Sequence, residues 1–587
     1  MVKQLMKSIR EFKLATILTP TFVIGEVIIE ALIPFLISLL INDIKAGCDL
    51  SVILGYAWKL VVLSLLSLLC GYLAGIYCAE ASTGFARNLR YDIFTNIQKF
   101  SFSNIDKFSS ASLVTRLTTD IQNVQMAFMM IIRTAVRAPL NLIFSFTMAY
   151  IMGGSMAVIF LIIIPFLGIG LYLIVRTVMP VFKKGFPLFD KITRIVEENV
   201  KGIRVVKSFV REDYEIEKFD ETSNDIRKMF TRAEQIIALN NPLMQISIYA
   251  VMLFVLMFGS EMIIKTNGTS LDVGQLSTLM TYGFQIMVSL MMLSMVFVMI
   301  TFSEESSKRI VEVLNEKSSI TSKENAITEV KDGSIDFDHV RFKYSPTAER
   351  PVLENIDVHI KSGETIGIIG GTGSAKSSFV QLIPRLYDVT EGTVRVGKED
   401  VRDYDLVTLR DSVAMVLQKN VLFSGTIADN IRWGNKDATL EEVKHVCHLA
   451  CADEFIEQMP DGYDTWIEQG GTNVSGGQKQ RLCIARALLK QPKILIMDDS
   501  TSAVDTKTDA IIRKAMKEYI PETTKIIIAQ RTSSVEDADR IIVLDGGKID
   551  AIGTSEELLK TNQIYREVYL SQNKQGTEEI VEEGGVR

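Results

Sequence analysis

Six stretches of this chain are each long and apolar enough to cross a bilayer, and they constrain its fold more than any other feature. They run over 14–41, 52–78, 131–152, 156–179, 242–264 and 276–302. A hydrocarbon core of about 30 Å takes about 20 apolar residues in helical form. Lipid offers no partner to backbone amides, so each run must close its own hydrogen bonds as a helix. All six lie in the first 302 of 587 residues. The rest of the chain is therefore expected to fold as a separate, water-exposed domain.

The connections give an orientation. Those after the first, third and fifth runs are short and carry few Lys or Arg, while those after the second and fourth are long and rich in both. The leading segment holds Lys3, Lys7, Arg10 and Lys13. By the positive-inside tendency, both termini and both long connections face the cytoplasm. A basic start that enters a long span argues against a cleaved signal peptide. A net charge of −7 gives no reason to expect a nucleic-acid partner. The six cysteines are scattered, and His445, Cys447, His448 and Cys451 read as an ordinary helix rather than a metal cluster.

Two acids stand out in the membrane half. Glu26 and Glu30 lie four apart in the first run, on one helical face. Charges within lipid are costly and by default mark function, so the pair is a candidate contact for a cationic substrate. A water-filled vestibule or a bond to a neighbouring helix would also explain them. Arg133 and Arg137 are expected in a cytoplasmic extension of the third run.

After 303–317, which reads as a polar helix, and a polar linker, the pattern becomes α/β from Ser334. The apolar run 365–369 enters Gly370-Gly371-Thr372-Gly373-Ser374-Ala375-Lys376-Ser377, with Ser378 opening an apolar helix. Strand, glycine-rich loop and helix are the setting a P-loop needs, with backbone N–H groups around phosphates. Lys376 would reach the β- and γ-phosphates and Ser377 would ligate Mg²⁺. Ala375 stands where the strict pattern has glycine. A second apolar run, 493–497, ends in Asp498-Asp499, and Asp498 fits an acid that holds Mg²⁺. Gln418 follows another apolar run, Ser475-Gly476-Gly477-Gln478 opens a helix, and Tyr344 could stack on adenine.

Taken in order, Tyr344, the P-loop, Gln418, Ser475-Gly476-Gly477-Gln478, Asp498 and Ser502-Ala503-Val504-Asp505 resemble an ATP-binding cassette (ABC). They correspond to its A-loop, Walker A, Q-loop, signature, Walker B and D-loop. The segments 101–120 and 198–209 resemble the first and second intracellular loops of ABC exporters. The resemblance implies an all-α six-helix transmembrane domain (1–317), a linker (318–333) and an α/β P-loop nucleotide-binding domain (334–572). An acidic tail (573–587) is expected to be disordered. It also implies ATP and Mg²⁺ as cofactors, with Ser377, Gln418 and Asp498 around the metal, and membrane lipids as neighbours.

Three positions depart from the family. Asp499 replaces the glutamate that orients the attacking water, and its carboxylate is one methylene shorter. Gln530 replaces the switch histidine and cannot carry its positive charge. Ala375 is the third. All three belong to this chain's own P-loop side, while the signature is intact. In the family, each ATP lies between one cassette's Walker motifs and its partner's signature. The pattern therefore resembles the degenerate-site subunit of a heterodimeric exporter in a bacterial cell membrane. Its partner, a second half-transporter, would supply the glutamate and histidine, and a small amphipathic substrate, a drug by preference, would be exported or flipped. A regulatory ATP-binding membrane protein and a slow homodimer using Asp499 are the alternatives.

Overall fold

The computed structural model describes residues 1–345, 347–500 and 504–572, with the backbone alone at 182, 183, 186 and 190. Ser502, Ala503 and the acidic tail lie outside the described residues. The chain divides into two compact units. One comprises Met1–Lys99 and Phe108–Glu316; the other comprises Phe100–Lys107 and the chain from Lys317 onward.

The first unit is helical. Its long helices are Lys13–Lys45, Leu50–Gln98, Thr134–Gly153, Val158–Lys201, Glu212–Ala238, Asn240–Thr266 and Val273–Asn315. Among the described residues, five helical stretches, rather than six, are long and apolar enough to cross a membrane. The difference lies in the stretch 110–181, which is 72 residues long and holds both the third and the fourth apolar runs. At Gly154, φ is +53°, a conformation open to glycine at little cost, and helicity resumes after the tight turn Gly154–Ala157.

Packing in this unit depends on small residues and borrowed donors. A Cβ at Gly153 would come within 2.6 Å of Leu279, so the glycine allows close contact there. Phe160, Leu167, Val255, Leu279 and Ile286 are fully buried in one apolar cluster. Pro34 sits inside the helix Lys13–Lys45 and supplies no backbone N–H. Next to it, Tyr282 donates to the Ala31 carbonyl at 2.6 Å and Thr278 to the Pro34 carbonyl at 3.1 Å. Donors from a neighbouring helix thus reach main-chain oxygens around the proline, as an apolar medium demands.

The second unit is α/β. A six-stranded sheet has the order Lys548–Gly553, Arg540–Asp545, Thr365–Ile369, Thr524–Ile528, Ile494–Asp498, Val413–Val416. Its neighbours are parallel except for the antiparallel edge strand Lys548–Gly553. Every residue of Ile494–Asp498 and Thr524–Ile528 is buried, as expected of parallel strands covered on both faces. A separate four-stranded antiparallel sheet carries Ile335–Phe342, Leu353–Ile360, Glu391–Val396 and Glu399–Asp400. The short segment Phe100–Lys107 belongs to this unit through side-chain bonds. Tyr387 donates to Asp106 at 2.9 Å, and Asn104 donates to the Lys317 carbonyl at 3.1 Å.

Candidate nucleotide site

The parallel sheet assembles the site by register. Ile368 lies opposite Ile528, and Ile528 opposite Asp498, while Val416 lies opposite Met497. The loops that follow these strands therefore leave one common edge, the carboxyl end where open α/β sheets bind ligands. They carry the P-loop, Asp499, Gln530 and Gln418, which are more than 150 residues apart at the extremes.

The glycine-rich loop after Thr365–Ile369 is tight at its start and open beyond it. A Cβ at Gly370 would collide with the Leu544 carbonyl, so only glycine fits there, whereas the space around Gly371 and Gly373 is open. Thr372 is exposed, and Ser374 and Ser378 are buried. Lys376 Nζ donates to the carbonyls of Gly370 and Gly371, both at 2.8 Å, and to Ser374 Oγ at 3.3 Å. Burial pushes the Lys376 ammonium below its ordinary range, and the charges of Asp498 and Asp499 pull it back. Burial likewise raises the Asp498 carboxyl, against a hydrogen bond from Ser377. Ser377 and Asp498 thus meet as a hydroxyl and a carboxylate, an oxygen donor set suited to Mg²⁺.

Ala375 occupies a left-handed conformation, φ +72° and ψ +21°, immediately before the helix Lys376–Gln381. That is the physical reason the pattern prefers glycine here: a Cβ costs about 1 kcal/mol in this region. Tyr344 is held at its hydroxyl by Ser378 at 2.9 Å and donates to Gln381 at 3.3 Å. Tyr387 stands edge-on to its ring, with centroids 5.0 Å apart.

Two of the three departures from the family pattern, Asp499 and Gln530, meet each other. Gln530 Nε2 donates to Asp499 Oδ2 at 2.7 Å, and Gln418 Nε2 donates to the same oxygen at 3.3 Å. Asp499 is 8% exposed and has φ +49°. Gln480, 2% exposed, donates from its side chain to the Asp499 carbonyl at 3.3 Å. Sequence reasoning passed over Gln480; the signal was a polar residue among the apolar positions of an otherwise amphipathic helix.

The signature forms a helix start. Ser475 caps Gly476–Leu489, accepting from the Gln478 amide at 3.3 Å, while Gln478 accepts from the Ser475 amide at 2.8 Å. This reciprocal capping explains the spacing of serine and glutamine. Ser475 and Gly476 are exposed and Gly477 is half-buried, so the Ser475 hydroxyl and the N–H groups of Gly476 and Gly477 are open to a ligand.

Glu26 and Glu30 do not stand as free acids. Arg137 donates to Glu26 Oε1 at 3.0 Å and to Glu30 Oε1 at 2.7 Å. Of the roles expected for the two acids, the structure shows the bond to a neighbouring helix, and Arg137 of Thr134–Gly153 supplies it. The carboxylates are already neutralised in part by an arginine in Thr134–Gly153, a pairing that no spacing along one helix reveals. Gly71 makes room for the group: a Cβ there would lie 2.8 Å from Glu26 Oε1.

Comparison with known proteins places this architecture. Residues 16–311 match the ABC transporter transmembrane region and residues 353–502 match the ABC transporter family. The chain is 34% identical over 554 residues to an uncharacterized ABC transporter ATP-binding protein, YfiB, of Bacillus subtilis, covering 94% of this chain and 96% of that one. It is 31% identical over 504 residues to an ATP-dependent lipid A-core flippase of Desulfotalea psychrophila, covering 85% and 87%. A solved bacterial Atm1-family ABC exporter with ATP bound shares the fold, with TM-score 0.82, 24% identity and coverage of 96% and 98%. The chain belongs to the ABC transporter family: it is a multi-pass membrane half-transporter of the exporter type with an ATP-binding cassette.

Proposed function

We propose that this chain is the degenerate-site half of a two-subunit exporter that uses ATP to move or flip an amphipathic solute across a bacterial cell membrane. Its signature completes the site at which a partner half-transporter hydrolyses ATP. The observation that carries this reading is the bond from Gln530 to Asp499, 2.7 Å long. The carboxylate at the position of the family's glutamate accepts from a neutral amide at the position of its histidine. Neither group is set to activate water or to bring positive charge to a γ-phosphate. The relative described as a lipid A-core flippase supports an amphipathic, lipid-like solute in preference to a drug.

On this reading, the stretch 110–181 crosses twice, reversing at Gly154, which makes six crossings and puts both termini and the cassette in the cytoplasm. A straight helix of 72 residues would be about 108 Å long, far beyond one bilayer. Lys376 and the P-loop amides would hold the phosphates, Ser377 and Asp498 the Mg²⁺, and Tyr344 the adenine. The partner's hydrolysis would rest on Ser475 and the amides of Gly476 and Gly477, which lower the cost of charge building on the transferred phosphoryl group.

Reconstitution tests the reading. The chain should be co-expressed with a half-transporter that has both the glutamate and the histidine, and placed in lipid vesicles with a fluorescent phospholipid. The pair should hydrolyse ATP and move the lipid, while this chain alone should do neither. Equal hydrolysis by this chain alone would establish the slow homodimer instead.

A further inference from the structure

Asp499 is bonded on two sides by groups that come from different parts of the cassette. Its side-chain Oδ2 receives Gln530 at 2.7 Å and Gln418 at 3.3 Å. Its main-chain oxygen receives Gln480 at 3.3 Å, and its main-chain N–H donates to the Ile528 carbonyl at 3.0 Å. Gln480 lies in Gly476–Leu489, the helix that begins at the signature serine. One buried residue therefore joins the loop after Val413–Val416, the loop after Thr524–Ile528 and the signature helix. A carboxamide donor that is 2% exposed is costly to leave unmatched, so Gln480 fixes the helix relative to Asp499 rather than merely touching it.

We infer that Asp499 is a positioning residue for hydrolysis at the partner's site. Through its carboxylate it registers the state of this chain's own nucleotide site, and through Gln480 it sets the signature helix. The inference rests on the two-subunit reading above and extends it: the degenerate acid has a task, which is mechanical and not that of a base. The chain of bonds runs from Gln418 and Gln530 to the Asp499 side chain, then along its backbone to Gln480. Breaking it at either end should have the same consequence, and breaking both ends should add little. The task needs an acceptor of the right size at position 499 and does not need a negative charge. Asparagine keeps such an acceptor; alanine does not.

The experiment measures steady-state ATPase of the reconstituted pair in four variants of this chain. Asp499→Ala and Gln480→Leu should each lower kcat by about fivefold to tenfold, the effect of roughly one lost hydrogen bond, with little change in the KM for ATP. The double variant should be no slower than either single one. Asp499→Asn should recover most of what alanine loses. If asparagine and alanine are equally impaired, charge matters and the inference falls. If the two single losses multiply in the double variant, the residues act separately and it also falls. Ser475→Arg in parallel separates the two levels: should it leave hydrolysis intact, the two-subunit reading fails; should it stop hydrolysis while Asp499→Ala does nothing, only the positioning role fails. Gln480→Leu alters a buried residue, so the contrast between asparagine and alanine at 499 decides the matter even where that variant does not fold.

Discussion

Gln530 Nε2 lies 2.7 Å from Asp499 Oδ2, so two of the three positions at which this cassette departs from its family are bonded to each other. Separate decay of two catalytic positions would leave an acid and an amide with no special relation. Here they satisfy one another beside the P-loop, and Gln418 shares the same oxygen.

The first prediction concerns the asymmetry of the two nucleotide sites. Ser475→Arg should lower ATP hydrolysis by the pair by about 100-fold, because it fills the exposed helix start whose amides, on the proposed reading, would meet the partner's nucleotide. Asp499→Glu together with Gln530→His should raise basal hydrolysis, since an acid of the right length and a chargeable ring return to this chain's own site. Steady-state phosphate release from the reconstituted pair measures both.

Nucleotide capture should depend on Lys376. Its ammonium is held by the Gly370 and Gly371 carbonyls at 2.8 Å, poised at the mouth of the open loop. Lys376→Ala would remove the charge proposed to meet the phosphates. Photo-crosslinking of an azido-ATP to this subunit should fall by at least about tenfold, a loss of roughly 1.4 kcal/mol. Unchanged labelling would show that another loop binds the phosphates.

Ala375 should be a point of backbone strain. At φ +72° a side chain carries a penalty that glycine lacks, so Ala375→Gly should stabilise the folded cassette by about 1 kcal/mol. For a domain of this size, that is a rise of about 2–4 °C in the melting midpoint of the detergent-solubilised protein. A lower midpoint would mean that the methyl group packs favourably enough to offset the strain.

The charged triad of the membrane unit should be structural. Arg137→Met strands Glu26, which is 8% exposed, and should cost about 3–5 kcal/mol, read as a lower melting midpoint. Adding Glu26→Gln and Glu30→Gln to the same chain should recover most of that loss, because no unpaired charge remains. In vesicles, the two glutamine substitutions alone should reduce export of cationic and neutral solutes alike. A selective loss of cations would restore the substrate-facing role.

Much of this protein is legible in its sequence. Long apolar runs determine a membrane unit, because lipid leaves the backbone no choice but helix. The glycine-rich loop before Lys376–Gln381 and the helix start at Ser475 are legible because a turn and a capping box are local properties of the chain. The runs 131–152 and 156–179 are separable in the sequence, but that both lie in one helical stretch, 110–181, interrupted at Gly154 with φ +53°, is not. The tertiary structure alone decided the rest. Arg137 reaches Glu26 and Glu30 from more than 100 residues away, and Gln418, Gln480 and Gln530 converge on Asp499 because parallel strands bring their loops to one edge. Ion pairs and side-chain bonds depend on where elements pack, and packing is a property of the whole folded chain.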